Sequence, residues 1–538
     1  MLIDGRTLGA AAVLETEICI IGAGPAGLTL AHELAGSGLA VMVLEAGGQT
    51  LDPDHQALLE VSTLDQPYPH SFGQARARCL GGTSVRWVPT IGLRARPLDA
   101  IDFEPRACIP HSGWPFSRAT LDPYYARAQE VCGLGPYHYD PHRWHPQGAE
   151  PYAILEGEAI QSGLFQRGPL GQFLAIGQRL AASPNVTLVL HASVTNLATE
   201  HSAQVVNRVE VTNLVQKSFS VKARTFVLAA GGLANPQLLL ASNQTHPNGL
   251  GNRYDGVGRY FMEHPHLHSG YFYPFDRRLA DHLELYQRHQ VGTTQLEGYL
   301  RFRDDHLRQA ELPNFAFWLH KGAIRSTVAD LGRTVSRWPQ ADEWGRFWQT
   351  LARRGGNLLD LPYQRLLRPQ ALPKLLHRQG GNRYFEMEVE AEQIPNPASR
   401  VRIGREKDAL GLPRLTLDWR YTAADLGAIR RGQQRLDQAL RRQGIGWVEL
   451  MLGDEFPPTT LGVGNHHMGT TRMHSDPRQG VVDENLRVHD LHNLFVAGSS
   501  VFPTAGAANP TLTIVALSIR LADYLKGIDR SPDVPPQT

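Results

Sequence analysis

The residues with the clearest chemical vocabulary lie between Ile18 and Gly48. Gly22-Ala23-Gly24-Pro25-Ala26-Gly27 spells a G-x-G-x-x-G turn, and Glu45 follows 18 positions after Gly27. Gly22 allows a tight turn, Gly24 lets backbone approach a pyrophosphate, and Gly27 lets a helix pack on a strand. A carboxylate at Glu45 can accept both ribose hydroxyls and repels a 2′-phosphate, so the spacing predicts FAD or NAD rather than NADP. A second chemical cluster is Asn465–Met473, NHHMGTTRM, with neighbouring imidazoles at His466 and His467. Imidazole titrates near neutrality and suits general-base work. Strand-like alternation sends adjacent side chains to opposite faces, so one of the two can face a given site. Spacing alone does not choose between them.

The elements around these residues must hold them in place. Ile18–Ile21 is a short β-branched run suited to a buried strand, and a helical segment runs from the glycine turn to about Ala35. Ala40–Leu44 is a second strand leading into Glu45 and Ala46. The helix start offers free N–H groups and a positive dipole end to a diphosphate. Further along, Gly81-Gly82-Thr83-Ser84 suggests backbone passing close to a flat ligand. Val186–Leu190, Ser193–Leu197 and Val205–Thr212 read as strands. Thr225–Ala230 ends on Gly231-Gly232, and Asn235-Pro236 opens a helical run to Ser242, a second strand–glycine–helix unit.

Residues 269–320 alternate aromatic and polar positions and predict strands of a second, sheet-based domain, as does Tyr384–Glu392. Ser117 or Thr120 suits the cap of a short helix. Thr422 caps a helix whose Leu426, Ile429, Leu436 and Leu440 form an apolar stripe. Asn493–Gly498 is another strand closing on glycine, and a final helix covers Ile514–Leu525. Residues 321–378 carry 11 Lys/Arg against 4 Asp/Glu with several tryptophans, and read as a helical insertion with a solvated face.

Composition narrows the class. Lys+Arg 53 against Asp+Glu 52 creates no global field, which argues against nucleic acid as main partner. Four cysteines, Cys19, Cys79, Cys108 and Cys132, show no metal-like spacing and suggest a reducing compartment. No apolar run reaches membrane-spanning length, and the first residues lack a signal-peptide pattern, so the expected location is cytoplasmic. A chain of 538 residues predicts two domains.

The segment Asn465–Thr513 adds Phe502-Pro503-Thr504-Ala505-Gly506-Ala507-Ala508-Asn509-Pro510-Thr511-Leu512-Thr513. Taken with the glycine turn, Gly81–Ser84, Gly231-Gly232…Asn235-Pro236 and Pro395-Asn396-Pro397…Ser399-Arg400-Val401, it resembles the glucose–methanol–choline (GMC) oxidoreductases, most of all pyranose oxidases and bacterial sugar or glycoside dehydrogenases. The resemblance is weakest over 270–380. It implies FAD rather than NAD, and an α/β fold: a Rossmann-like FAD domain from discontinuous segments, with a substrate domain of mostly antiparallel sheet and helices. The corresponding boundaries are 1–100, 180–268 and 455–530 for FAD, and 101–179 with 269–454 for substrate. It implies His466 as catalytic histidine and Asn509 as its partner. His264 reads as a loop contact, and no metal is expected. The resemblance implies cofactor contacts from Gly22, Gly24, Pro25, Ala26, Gly27, Glu45, Ala46, Gly81, Gly82, Thr83, Ser84, Val194, Ala230, Gly231, Gly498, Asn509, Pro510 and Thr511. Arg86 stands where flavin-linking relatives carry a histidine, so the FAD is expected to be non-covalent.

The expected reaction is oxidation of a secondary alcohol of a sugar or glycoside to a ketone, with oxygen, a quinone or another acceptor. Alternatives are a sterol or aliphatic alcohol as substrate, or a hydroxynitrile lyase that binds FAD without using its redox chemistry. A homo-oligomer is compatible with the composition.

Overall fold

A computed structural model describes residues 1–529 apart from 67, 88–91, 145–151, 201–203, 322–383, 453–455 and 459–460. Residues 322–378 of the expected helical insertion therefore lie outside the described residues.

The β-branched run before the glycine turn extends to a strand, Val13–Ile21, whose last four residues are fully buried. It is central in an eight-stranded sheet. Leu2–Asp4, Val186–Leu190, Val41–Leu44, Val13–Ile21 and Ser218–Leu228 run parallel in that order, and Leu494–Val496 joins Ser218–Leu228 in parallel. Val206–Thr212 and Ser193–Thr199 extend it antiparallel. Helices Pro25–Leu34 and Thr511–Asp529 pack together against this sheet, and one continuous apolar core joins them. Parallel strands buried on both faces need such near-continuous apolar runs.

A second, nine-stranded sheet follows the order Gly446–Leu450, Pro265–Pro274, Phe385–Ala391, Phe315–Lys321, Thr294–Phe302, Ile160–Gly168 and Leu93–Ala95, with His289–Val291 added beside Thr294–Phe302 and Gly462–Val463 beside Pro265–Pro274, all pairs antiparallel. Helix Ala423–Arg442 covers it with Leu426, Ile429, Leu436 and Leu440 in a separate core. Thr422 forms a reciprocal capping box with Asp425. The fold is α/β: the first sheet is mostly parallel with two antiparallel strands at one side, and the second sheet is antiparallel throughout the order given.

Two segments sit across the boundaries expected from the sequence. Leu93–Ala95, assigned to the nucleotide-binding part, is an edge strand of the second sheet. Arg118–Val131, assigned to the substrate part, is a 14-residue helix packed on Thr511–Asp529 in the first core. Its buried Leu121, Tyr125 and Ala128 lie on one face, and that stripe decides which sheet it joins. Ser117 occupies the cap position but makes no side-chain cap bond.

Candidate active site

The glycine turn is built so that backbone replaces side chains. Gly22 has φ +112°, and a Cβ there would lie 2.6 Å from Ala229 O. At Gly27 a Cβ would lie 2.0 Å from Gly22 O. Gly82, at φ +55°, approaches so closely that its Cβ would be 2.7 Å from the Gly24 Cα. Gly22, Gly24 and Gly82, from two distant segments, line one wall of a cavity of about 720 Å³, within the size range of cofactor sites.

Glu45 lies on the same cavity, buried, accepting the Ala23 N–H on Oε2 and the Gly47 N–H on Oε1, each at 2.9 Å. Burial, more than these bonds offset, pushes its carboxyl above the ordinary range. The cavity is also lined by Pro25, Ala26, Ala46, Thr83, Ser84, Val194, Ala230, Gly231, Gly498, Asn509, Pro510 and Thr511. Gly27 and Gly81 stand behind the wall: Gly27 beneath Gly22, and Gly81 donating its N–H to Ala23 O at 2.9 Å. A cradle of close backbone, a buried acid and the start of the helix Thr511–Asp529 suits a dinucleotide diphosphate and ribose. The residues present fit FAD.

Arg86 reaches the cavity and donates to Gly73 O (3.0 Å) and Gln56 Oε1 (3.4 Å). Cys79 is buried, and burial pushes its thiol up to about 12. Exposed His70 lines the cavity mouth.

At the far end of the cavity His466 and Asn509 meet, with Asn509 Nδ2 3.1 Å from His466 Nε2. His466 is partly buried. Burial first, and then neighbouring His264, hold it well below the ordinary histidine range, so the ring is neutral. His467 turns the other way, with its Nε2 3.1 Å from the Tyr68 hydroxyl and its ring among Tyr68, Phe72 and Phe261. Burial lowers it to about 3.

Four further residues complete this end, and sequence reasoning missed them. His264, expected as a loop contact, is fully buried with Nδ1 2.9 Å from His466 Nδ1. Glu390, on strand Phe385–Ala391, puts Oε1 3.0 Å from His264 Nδ1. Arg94 donates Nη2 to Glu390 Oε2 (2.8 Å) and Nε to Asn509 Oδ1 (3.2 Å), with its guanidinium 4.0 Å over the Trp318 ring. His266 faces Glu390 Oε2 at 3.5 Å. Burial pulls His264 down, but the Glu390 carboxylate outweighs it and the net direction is up. Burial pushes Glu390 up, and His266, His264 and Arg94 together bring it well below its ordinary value. One signal was present: in Tyr384–Glu392 the acids Glu386, Glu388 and Glu390 alternate on one strand face, and among them Glu390 is the fully buried one.

His264, Glu390 and His466 each offer one ligand atom within 4.8 Å of the others, a spacing a metal ion could use.

Comparison with known proteins agrees with this construction. Residues 395–518 match a family model described as GMC oxidoreductase, and 15–66 one described as FAD binding domain. The chain is 26% identical to the fructose dehydrogenase large subunit of Gluconobacter japonicus, covering 95% of this chain and 98% of the relative. It is 36% identical to a C-glycoside 3-oxidase of Arthrobacter globiformis over 114 residues, 21% of each chain. In three dimensions it resembles pyridoxine 4-oxidase from Mesorbium loti, with TM-score 0.52 and 19% identity over 95% of this chain and 99% of that one.

Proposed function

We propose that this chain, which belongs to the GMC oxidoreductases, oxidises a secondary hydroxyl of a sugar or glycoside to a ketone, with His466 as base and Asn509 as its partner. It is an oxidoreductase of CH–OH groups whose cofactor is FAD. Bound FAD supplies the hydride acceptor. The observation that carries the reading is His466 Nε2 beside the Asn509 amide on the cavity that also holds the glycine cradle. A neutral imidazole can take the hydroxyl proton as the C–H bond breaks. The amide can donate to the oxygen and stabilise developing alkoxide charge without competing for that proton.

The sugar class is favoured by the cavity lining, where Arg94, Arg167, Arg288, His266 and Glu388 supply donors and acceptors beside the Trp318 ring. Such a lining suits a polyol and opposes a sterol or long aliphatic alcohol, which need a deep apolar pocket. Relatives named for fructose and C-glycosides point the same way.

We assign the FAD as non-covalent: a guanidinium such as that of Arg86 is a poor nucleophile, and burial raises the Cys79 thiol to about 12. The test of function is anaerobic mixing with a panel of sugars, glycosides and aliphatic alcohols, with oxygen and artificial acceptors screened in parallel. Flavin bleaching by sugars and a ketone in the product are expected. An aldehyde product, or turnover confined to apolar alcohols, overturns the assignment. Cyanohydrin cleavage without bleaching would instead make it a lyase.

A further inference from the structure

Behind the proposed base lie two fully buried groups, His264 and Glu390, that take no part in the base's own proton transfer. Their hydrogen-bond directions follow from both ends of a chain. Arg94 Nε donates to Asn509 Oδ1, so the amide turns its Nδ2 toward His466 Nε2, which must accept. At the opposite end Ala505 O can only accept, so His264 Nε2, 3.3 Å away, carries a proton. Two Nδ1 atoms 2.9 Å apart share one proton, and it belongs to His466 when both rings are neutral. His466 is then the tautomer with its lone pair on Nε2, which accepts from the Asn509 amide until a substrate hydroxyl takes that place.

Glu390 completes the arrangement. Its Oε2 is held by Arg94, whereas Oε1 is buried and accepts no hydrogen bond, although His264 Nδ1 is 3.0 Å away. An unsatisfied buried carboxylate oxygen is costly. A proton placed on His264 Nδ1 would satisfy it.

We propose that His264 and Glu390 form a proton relay behind His466, a step that rests on His466 being the base. The hydroxyl proton goes to His466 Nε2, and the His466 Nδ1–H bond breaks as that proton passes to His264 Nδ1. The O–H electron pair closes the carbonyl, while hydrogen leaves the carbon with its electron pair for the flavin. What remains is a neutral His466 and an imidazolium–carboxylate pair, His264 and Glu390. Charge thereby moves off the substrate oxygen's neighbour and into a site built to hold it. The groups facing His264 are His466, Glu390, Glu263 and, across Glu390, His266 and Arg94.

The relay makes His264 the first of the two rings to protonate as pH falls, and a protonated His264 blocks it. Nitrogen-15 histidine spectra of the oxidised holoenzyme should show His466 protonated on Nδ1 alone, and His264 becoming imidazolium while His466 stays neutral. Glu390→Gln should move the His264 transition, and the acid limb of anaerobic flavin reduction, lower by about one pH unit or more. Glu390→Gln and His264→Asn should each slow the plateau rate roughly tenfold or more, part of the range of a positioned proton acceptor. Glu390→Gln keeps shape and volume, so it carries the test if His264→Asn does not fold. A purely structural role would slow the rate without moving the limb. Unshifted transitions in Glu390→Gln, or His466 protonating first, overturn the relay. Activity lost to a chelator and restored by a divalent ion would assign the cluster to a metal and also overturn it. A fully active His466→Ala defeats the base assignment itself, whereas a crippled His466→Ala beside an unaffected Glu390→Gln defeats the relay alone.

Discussion

Truncating the two neighbouring histidines in turn should separate chemistry from packing. His466 meets the cavity, and its ring touches Asn509, His264 and His266, with Glu390 Oε1 3.9 Å from Nδ1. His466→Ala opens space toward an existing cavity, so stability should change by about 1 kcal/mol. The rate of anaerobic flavin reduction should fall between about a hundredfold and ten-thousandfold, the contribution of a positioned base. At 1.36 kcal/mol per factor of ten that is roughly 3–5 kcal/mol on the barrier. His467 is 7% exposed and sits among three aromatic rings, with Nε2 on the Tyr68 hydroxyl. His467→Ala removes packing against three aromatic rings and a partner from a buried hydroxyl, a loss of about 2–4 kcal/mol in stability. Its reduction rate should stay within a few-fold of the parent. Stopped-flow flavin reduction and thermal unfolding, read on the same preparations, give both axes. A His467→Ala variant crippled in rate but stable, beside a fast His466→Ala, would refute the assignment.

Gly82→Val should yield folded protein with little bound flavin, because a side chain at φ +55° meets the Gly24 Cα; the flavin-to-protein absorbance ratio reads this. Arg106→Met should cost about 3–5 kcal/mol in thermal unfolding, since it strands buried Glu392, which Arg106 holds at 2.8 and 2.6 Å. Glu392→Met in the same chain should recover much of that loss. Burial raises Glu263 from 4.5 to about 7, so between those values the folded protein keeps a proton that the unfolded chain has released. Stability should therefore fall as pH rises through that window, by roughly 3 kcal/mol at most, and Glu263→Gln should flatten the slope. Acid precipitation should leave the yellow colour in the supernatant, and flavin migrating with the denatured chain would contradict non-covalent binding.

Features that rest on a few consecutive residues were legible in the chain itself. The glycine turn, the strand before it and Glu45 form one local unit, because backbone conformation and close approach depend on which residues are glycine at fixed offsets. The same holds for the capped helix Ala423–Arg442 and for Val186–Leu190, whose boundaries the pattern predicts well. His466 and His467 take different partners, Asn509 and Tyr68, although both line the cavity and neither lies in a strand.

Which residues surround His466 was decided by tertiary structure. Strand pairing sets His266 opposite Glu390, and His264, two residues earlier, falls on the same side. Arg94 arrives from the far edge of that sheet and reaches Asn509, 415 positions away in the chain. A sequence records the type of each side chain but not the register of a pairing across more than a hundred residues. A one-residue slip would send Glu390 to the opposite face, so its place beside His264 exists only once these two strands are paired in register.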